Sequence, residues 1–135
     1  MSDPIDPADY VEIQNLYATY NQSSDAGDAD AYARCFTEDG VLDATRYLKG
    51  RQALADYKRA EAEPRKHLYR RHWNGSLHLC RNGDGTVTGV CYFLAFNGVP
   101  GSLPAMTHCG VYTDTIVKQD GRWLFSVRKL RHDAA

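Results

Sequence analysis

The feature that most constrains the fold is a change of texture at Pro64. Before it, apolar side chains recur at three- and four-residue spacing, which is typical of helices. After it, four stretches rich in β-branched and aromatic residues alternate with short segments of Gly, Asn, Asp and Pro. Such stretches are typical of strands, and the segments between them are strong turn signals. Helices followed by a four-strand antiparallel meander predict an α+β fold.

Local signals place three helices in the N-terminal half. Asp6 can cap the first helix, Pro7 suits its first position, and Gly27 can end it. Asp28 can cap a short second helix, and residues 50–60 predict a third. Residues 37–40 predict a turn. Strands are predicted at residues 41–44, 47–49, 67–80, 86–96, 105–118 and 123–130.

Composition limits the class of protein. The 135 residues are 43% hydrophobic and 24% charged, with a formal net charge of −1, which fits one domain over residues 1–135. This near-neutral balance disfavours nucleic acid or an anionic membrane as partner. No apolar stretch approaches the roughly 20 residues that span a bilayer. The acidic, proline-containing N-terminus is unlike a secretory signal, so we expect a cytoplasmic protein.

Metal and cofactor motifs are missing from the sequence. The four cysteines lack CxxC spacing and are expected to be reduced and buried. The histidines form no HxH, HxxxH or HExxH pattern, and no phosphate-binding glycine loop or GxSxG motif is present. We therefore predict no metal and no cofactor. The basic run at residues 65–72, RKHLYRRH, alternates faces as a strand and predicts a solvated edge.

Two residues suit an acid–base pair. Asp25 closes the first helix, and His72 opens the first long strand. Histidine supplies a base whose pKa lies near the working pH. A carboxylate bonded to its far ring nitrogen would fix the tautomer and stabilise the imidazolium. The expected roles are therefore His72 as base and Asp25 as the group that orients it.

Two segments carry a family resemblance. They are IQNLYATYNQSSDAGDADAYARCFTEDGVLD at residues 13–43 and GVYTDTIVKQDGRWLFSVRKL at residues 110–130. With them the chain resembles the SnoaL-like branch of the nuclear transport factor 2-like superfamily. The resemblance implies a cone-shaped α+β barrel, in which a curved antiparallel sheet wraps around the N-terminal helices. Because this fold hosts many chemistries, function has to be argued from the site.

The resemblance also implies catalytic residues. Scytalone dehydratase, hexachlorocyclohexane dehydrochlorinase and bile acid 7α-dehydratase use an Asp–His pair, whose positions match Asp25 and His72 here. Tyr20 resembles a tyrosine that assists the leaving hydroxyl in the bile acid enzyme. That enzyme's additional acid falls near Ala95, and the scytalone enzyme's second histidine falls near Asn97, so the leaving-group machinery does not carry over in full.

Further residues are candidates for substrate binding. The hydroxyls of Tyr20, Tyr47 or Tyr112 could polarise a carbonyl, and Asn74 shares a strand face with His72. Arg128 allows either a carboxylate anchor or a solvated strand end, and His132 is expected at the surface. The substrate-binding candidates are Tyr47, Asn74, Asn97, His108, Tyr112 and Arg128.

These expectations favour a cofactor-independent lyase or isomerase. It would carry out a dehydratase-type elimination on a small apolar oxygenated ring compound such as a polyketide, steroid or aromatic catabolite. The alternatives are a non-catalytic ligand-binding or assembly domain, including a dioxygenase small-subunit-like role, and a polyketide cyclase or epoxide hydrolase. A homodimer or higher homo-oligomer is expected through the outer sheet face, where we place Val111, Val117 and Phe125.

Overall fold

The computed structural model describes residues 3–134. Its elements are α1 (Pro7–Ala26), α2 (Ala29–Arg34), β1 (Phe36–Asp43), β2 (Tyr47–Lys49), α3 (Arg51–Ala62), a 3₁₀ turn (Glu63–Arg65), β3 (Tyr69–Arg81), β4 (Val87–Gly98), β5 (Ala105–Gln119) and β6 (Arg122–Ala134). The predicted α+β fold is confirmed. None of the helices within residues 3–134 is long and apolar enough to cross a membrane.

The strands form one six-stranded sheet in the order β2-β1-β6-β5-β4-β3. Strands β3 to β6 make the predicted antiparallel meander. β1 joins β6 in parallel, so the sheet is not antiparallel throughout. The turn predicted at residues 37–40 is wrong, because these residues lie within β1. The β1–β6 register shifts between Phe36 and Val41, and this irregularity accommodates the turn-type residues.

Bulges give the sheet a concave face. The β3–β4 register shifts between Gly75 and His78, where Ser76 has a φ of 54°. The β4–β5 register shifts between Ala95 and Phe96. A bulge bends its strand and increases the local twist, so a sheet with several bulges can curve around a helical layer. The site lies on this concave side.

Helix α1 fills part of the concave side. Asp6 Oδ1 accepts the backbone N–H of Ala8 at 2.8 Å, and Gly27 ends the helix with a φ of 71°. Both were predicted, because capping needs only local residue types. Along its buried face, Tyr17 and Tyr20 pack against Phe125 with ring centroids 5.1 Å and 5.8 Å apart.

Phe125 therefore does not lie where the sequence suggested. It is fully buried against the helices rather than on the outer sheet face. The register shift between Thr115 and Ile116 breaks the alternation of inward and outward residues beside it. Val111 and Val117 are half-buried, and Val111 stands opposite the exposed Tyr92.

The four cysteines are free thiols. Cys35 and Cys91 are buried, as predicted, whereas Cys80 and Cys109 are only half-buried. Burial raises the pKa of the Cys35 and Cys91 thiols to about 11. Both therefore act as small apolar side chains near neutral pH.

Candidate active site

A cavity of about 470 Å³ opens between the helices and the concave face of the sheet. Side chains from all three helices and from every strand contribute to its wall. Apolar groups such as Leu48, Phe93 and Leu130 line part of it, and ionisable groups converge at other points. A concave, mainly apolar hollow with a few converging polar groups is typical of small-molecule sites.

The last turn of α1 and the start of β3 bring Asp25 and His72 together. His72 Nδ1 bonds to Asp25 Oδ1, and Asp25 Oδ2 accepts the backbone N–H of His72 at 3.1 Å. The side chains of Asp25 and His72 are 12% and 11% exposed. One carboxylate thus holds both the ring and the backbone of His72, which fixes the position of the imidazole.

This contact determines which ring nitrogen of His72 can act as a base. An ionised carboxylate only accepts hydrogen bonds, so Nδ1 is the nitrogen that donates to it and Nε2 is the one left for proton transfer. His72 borders the cavity and Asp25 does not, so the carboxylate lies behind the ring. The ring also stacks on Phe93 with centroids 5.6 Å apart. The arrangement suits proton abstraction by Nε2.

Four tyrosines border the cavity: Tyr20, Tyr32, Tyr57 and Tyr112. The hydroxyls of Tyr20 and Tyr32 are 3.1 Å apart, and the rings of Tyr20 and Tyr112 are 6.2 Å apart. Burial raises the pKa of all four above the ordinary value, so each hydroxyl keeps its proton. For Tyr32 the sequence indicated only a structural role, because its helical spacing is that of an ordinary core residue.

Arg128 does not lie at a solvated strand end, and it does not border the cavity. It is fully buried and bonds Asp114 through Nε at 2.9 Å and Nη2 at 3.0 Å. Its guanidinium carbon lies 3.6 Å from the ring centroid of Tyr112. The expectation that Arg128 anchors a substrate carboxylate is therefore wrong, because Asp114 and the aromatic rings already surround it.

A cationic cluster occupies another part of the wall, and the sequence analysis missed it. Lys58 Nζ donates to Ser24 Oγ at 2.9 Å and to Glu61 Oε1 at 2.7 Å. Arg70 and Arg65 donate to Glu61 Oε2 at 2.5 Å and 2.8 Å. A signal for Arg70 existed, since it precedes His72 by two residues and a strand places such residues on one face.

Burial disfavours the charged form of both Lys58 and Glu61, so it shifts their pKa values in opposite directions. It lowers the pKa of Lys58, while Glu61 partly restores it. It also favours protonation of Glu61, but Lys58 and Arg70 hold the pKa of that carboxyl below its ordinary value. The solvated edge predicted for residues 65–72 is wrong at Arg70, whose side chain is only 11% exposed.

The other predicted binding residues divide into two groups. His108 borders the cavity, and its ring lies 5.7 Å from the ring of the exposed His132. Burial lowers the pKa of His108, and the neighbouring His132 lowers it further. Tyr47, Asn74 and Asn97 lie outside the cavity lining.

Each of the three has a structural reason for its position. Tyr47 is 67% exposed on the edge strand β2. Asn74 Oδ1 accepts from Asn21 of α1 at 2.8 Å, which turns its amide towards the helix. Asn97 Oδ1 accepts from Arg70 Nε at 2.9 Å. The structure therefore places none of these three side chains on the cavity wall, contrary to the prediction that they contact the substrate.

Within residues 3–134 the structure contains no group of three or more His, Cys, Asp or Glu side chains arranged to hold a metal ion. The elements that meet at the cavity supply one histidine–carboxylate pair, four tyrosine hydroxyls and the Lys58–Glu61–Arg70 cluster.

The comparisons with known proteins agree on one family. The sequence model of the SnoaL-like domain matches residues 7–129. No curated protein sequence is a significant match. Among solved structures, a variant of Rv3472 from Mycobacterium tuberculosis is 31% identical, with a TM-score of 0.82 over 93% of this chain and 77% of that one.

Two further structures are similar. ActVI-ORFA from Streptomyces coelicolor is 26% identical, with a TM-score of 0.85 over 92% of this chain and 96% of that one. A protein from Catenulispora acidiphila, solved in complex with S-DNPA, is 27% identical with a TM-score of 0.83 over 95% and 96% of the two chains. The same fold occurs in proteins described as NTF2-like and cystatin-like.

Proposed function

The chain belongs to the SnoaL-like domain family, which includes polyketide cyclases and dehydratases, and from that premise we propose that it is a lyase that eliminates water from a ring compound. The observation that carries the proposal is the Asp25–His72 contact, with His72 on the cavity wall and Asp25 behind it. The substrate would be a small, mainly apolar ring with a hydroxyl β to a ketone.

The proposed reaction balances without an electron acceptor. His72 Nε2 takes a proton from the carbon beside the ketone, and Asp25 stabilises the imidazolium that forms. The carbon–hydroxyl bond then breaks, a carbon–carbon double bond forms, and the hydroxyl leaves as water with a proton returned by His72. Because elimination of water transfers no net electrons, the proposal requires no redox cofactor.

The cavity can also stabilise the charge that develops during this reaction. Proton loss beside a ketone places negative charge on its oxygen, and donors aimed at such an oxygen are a large source of catalysis. Tyr20 and Tyr112 border the cavity and stay protonated, so they are the proposed donors. The S-DNPA complex of the Catenulispora protein supports small-molecule binding in this family.

The proposal is tested with bicyclic β-hydroxy ketones. β-Hydroxytetralone is a suitable first member, because its dehydration gives naphthol, which is fluorescent. The wild-type protein is expected to form naphthol faster than His72→Asn, and mass spectrometry should show the loss of one water. Equal rates in the two proteins contradict the proposal. Binding of these β-hydroxy ketones without any turnover supports a ligand-binding domain instead.

We also propose that two copies of the chain pair through the outer sheet face. Trp73, Tyr92 and Met106 are 64%, 59% and 58% exposed there, and Trp73 contacts Phe96 with ring centroids 6.1 Å apart. Cross-strand pairing places these side chains on one face, since Trp73 stands opposite Leu94 and Tyr92 is two residues from Leu94. Met106 stands opposite Phe96, the residue that Trp73 contacts. Exposed apolar patches of this kind commonly mark interfaces.

Trp73→Glu is expected to convert a dimer into a monomer, because it places a charge in the apolar patch. Light scattering after size-exclusion chromatography should give about twice the mass of one chain for the wild type and about one chain mass for the variant. Tyr47→Glu is the matched control, because Tyr47 is equally exposed but lies on edge strand β2. A monomeric wild type, or a dimeric Trp73→Glu, contradicts this interface.

A further inference from the structure

The charged residues that border the cavity are mostly cationic. Arg46, Lys58, Arg65 and Arg70 line it, and Glu61 is the one lining carboxylate among residues 3–134. The whole chain carries a formal net charge of −1, so this excess is local. The proposed elimination does not use it, because the dyad and the tyrosines supply the proton transfer and the hydrogen-bond donors.

Glu61 cannot balance the cations that contact it. Its two oxygens accept from Lys58, Arg65 and Arg70 at 2.7, 2.8 and 2.5 Å. One carboxylate neutralises one unit of charge, and three cations share it. Asp25 also acts on Lys58, but its two oxygens are bonded to His72. Within residues 3–134, Nη2 of Arg70 makes no side-chain hydrogen bond, while Nε and Nη1 are held by Asn97 and Glu61.

Burial makes this excess of charge costly in the protein alone. The side chains of Lys58 and Arg70 are only 6% and 11% exposed. Charges withdrawn from water are normally paired, because the loss of hydration otherwise opposes them. An incoming anion would restore the balance. Arg70 is also held in a fixed orientation, since Asn97 itself donates to Thr107 at 2.8 Å.

We infer that the substrate is an organic anion, an apolar ring that carries a carboxylate bound by Arg70 with support from Lys58. This inference rests on the proposed function and narrows its substrate class. Arg70 and His72 share one face of β3 two residues apart, a separation of about 7 Å along the strand. The carboxylate would therefore lie on a side chain or a second ring, and not on the reacting carbon.

A pair of non-reacting probes of equal shape tests the inference. Anthraquinone carboxylate carries the charge, and its primary carboxamide does not. Calorimetric titration of the wild-type protein is expected to show the carboxylate binding at least tenfold more tightly. Arg70→Gln should weaken carboxylate binding by roughly ten- to a hundredfold, which is the loss of a charge-assisted hydrogen bond, and should leave carboxamide binding nearly unchanged.

Arg71→Gln is the matched control, since Arg71 is the next residue on β3 and is exposed on the opposite face. It should keep the wild-type preference. Carboxamide binding as tight as carboxylate binding in the wild type overturns the inference without any variant. A preference that survives Arg70→Gln overturns the assignment to this arginine.

The outcome can be separated from that of the proposed elimination. His72→Asn removes the proposed base but leaves the cationic cluster intact, so it should keep the charge preference. If His72→Asn also keeps full turnover, the proposed elimination fails while the anion site stands. If turnover is lost in His72→Asn and the wild type shows no charge preference, the elimination stands and the anion site fails.

Discussion

Asp114→Asn is expected to lower the free energy of unfolding by about 3–5 kcal/mol, the cost of leaving one partner of a buried ion pair uncompensated. Asp114 and Arg128 have fully buried side chains joined by two hydrogen bonds of 2.9 and 3.0 Å. Asp114 also accepts from the hydroxyl of Tyr17 at 2.5 Å. The asparagine keeps the shape of the side chain but removes the charge that balances Arg128.

Urea denaturation followed by circular dichroism measures this effect. The double variant Asp114→Asn/Arg128→Met should lose less stability than the sum of the single variants, because it removes the uncompensated charge together with its partner. Asp43→Asn is the control, since Asp43 pairs with Arg131 at 3.5 Å where the side chains are 30% and 60% exposed. That control should cost at most about 1 kcal/mol.

A loss for Asp114→Asn as small as for Asp43→Asn contradicts this assignment. The substitution should also disturb the candidate active site, because the guanidinium of Arg128 packs against two tyrosines that line the cavity. Its central carbon lies 3.6 Å from the ring centroid of Tyr112 and 4.3 Å from that of Tyr20. The ion pair therefore stabilises the rings whose hydroxyls are the proposed donors.

Local chemistry explains which features were predictable from the sequence. The cap at Asp6, the end of α1 at Gly27 and the strand at Tyr47–Lys49 depend on neighbouring residues only. The pairing of Asp25 with His72 was indicated by their local contexts together with the family pattern, and the structure brings them into contact. Whether they are catalytic stays a prediction.

Features that depend on register were harder to predict. Asp114 and Arg128 stand opposite each other on β5 and β6, but recognising the pair requires knowing where the strands bulge. The same bulges explain the wrong placement of Phe125, since strict alternation fails when one strand carries an extra residue. Lys58 and Glu61 had a weaker signal, their helical spacing from the buried Leu54, which also suits a solvated helix side.

His72→Asn and Asp25→Asn are each expected to lower kcat/KM for β-hydroxy ketone elimination by roughly 10²–10⁴-fold, the usual contribution of a positioned acid–base group. His72→Asn removes the lone pair that accepts the proton. Asp25→Asn leaves one acceptor oxygen where Asp25 now accepts from both the ring and the backbone N–H of His72. It also removes the charge that stabilises the imidazolium.

The double variant should be no slower than the slower single variant, because groups that act as one unit are not additive. His78→Asn is the matched control, since His78 is exposed on the same strand and should keep wild-type turnover. Thermal unfolding and titration with anthraquinone carboxylate check that each variant folds and binds. Turnover near the wild-type level in either single variant contradicts the dyad, and a deficit that multiplies in the double variant shows two independent roles.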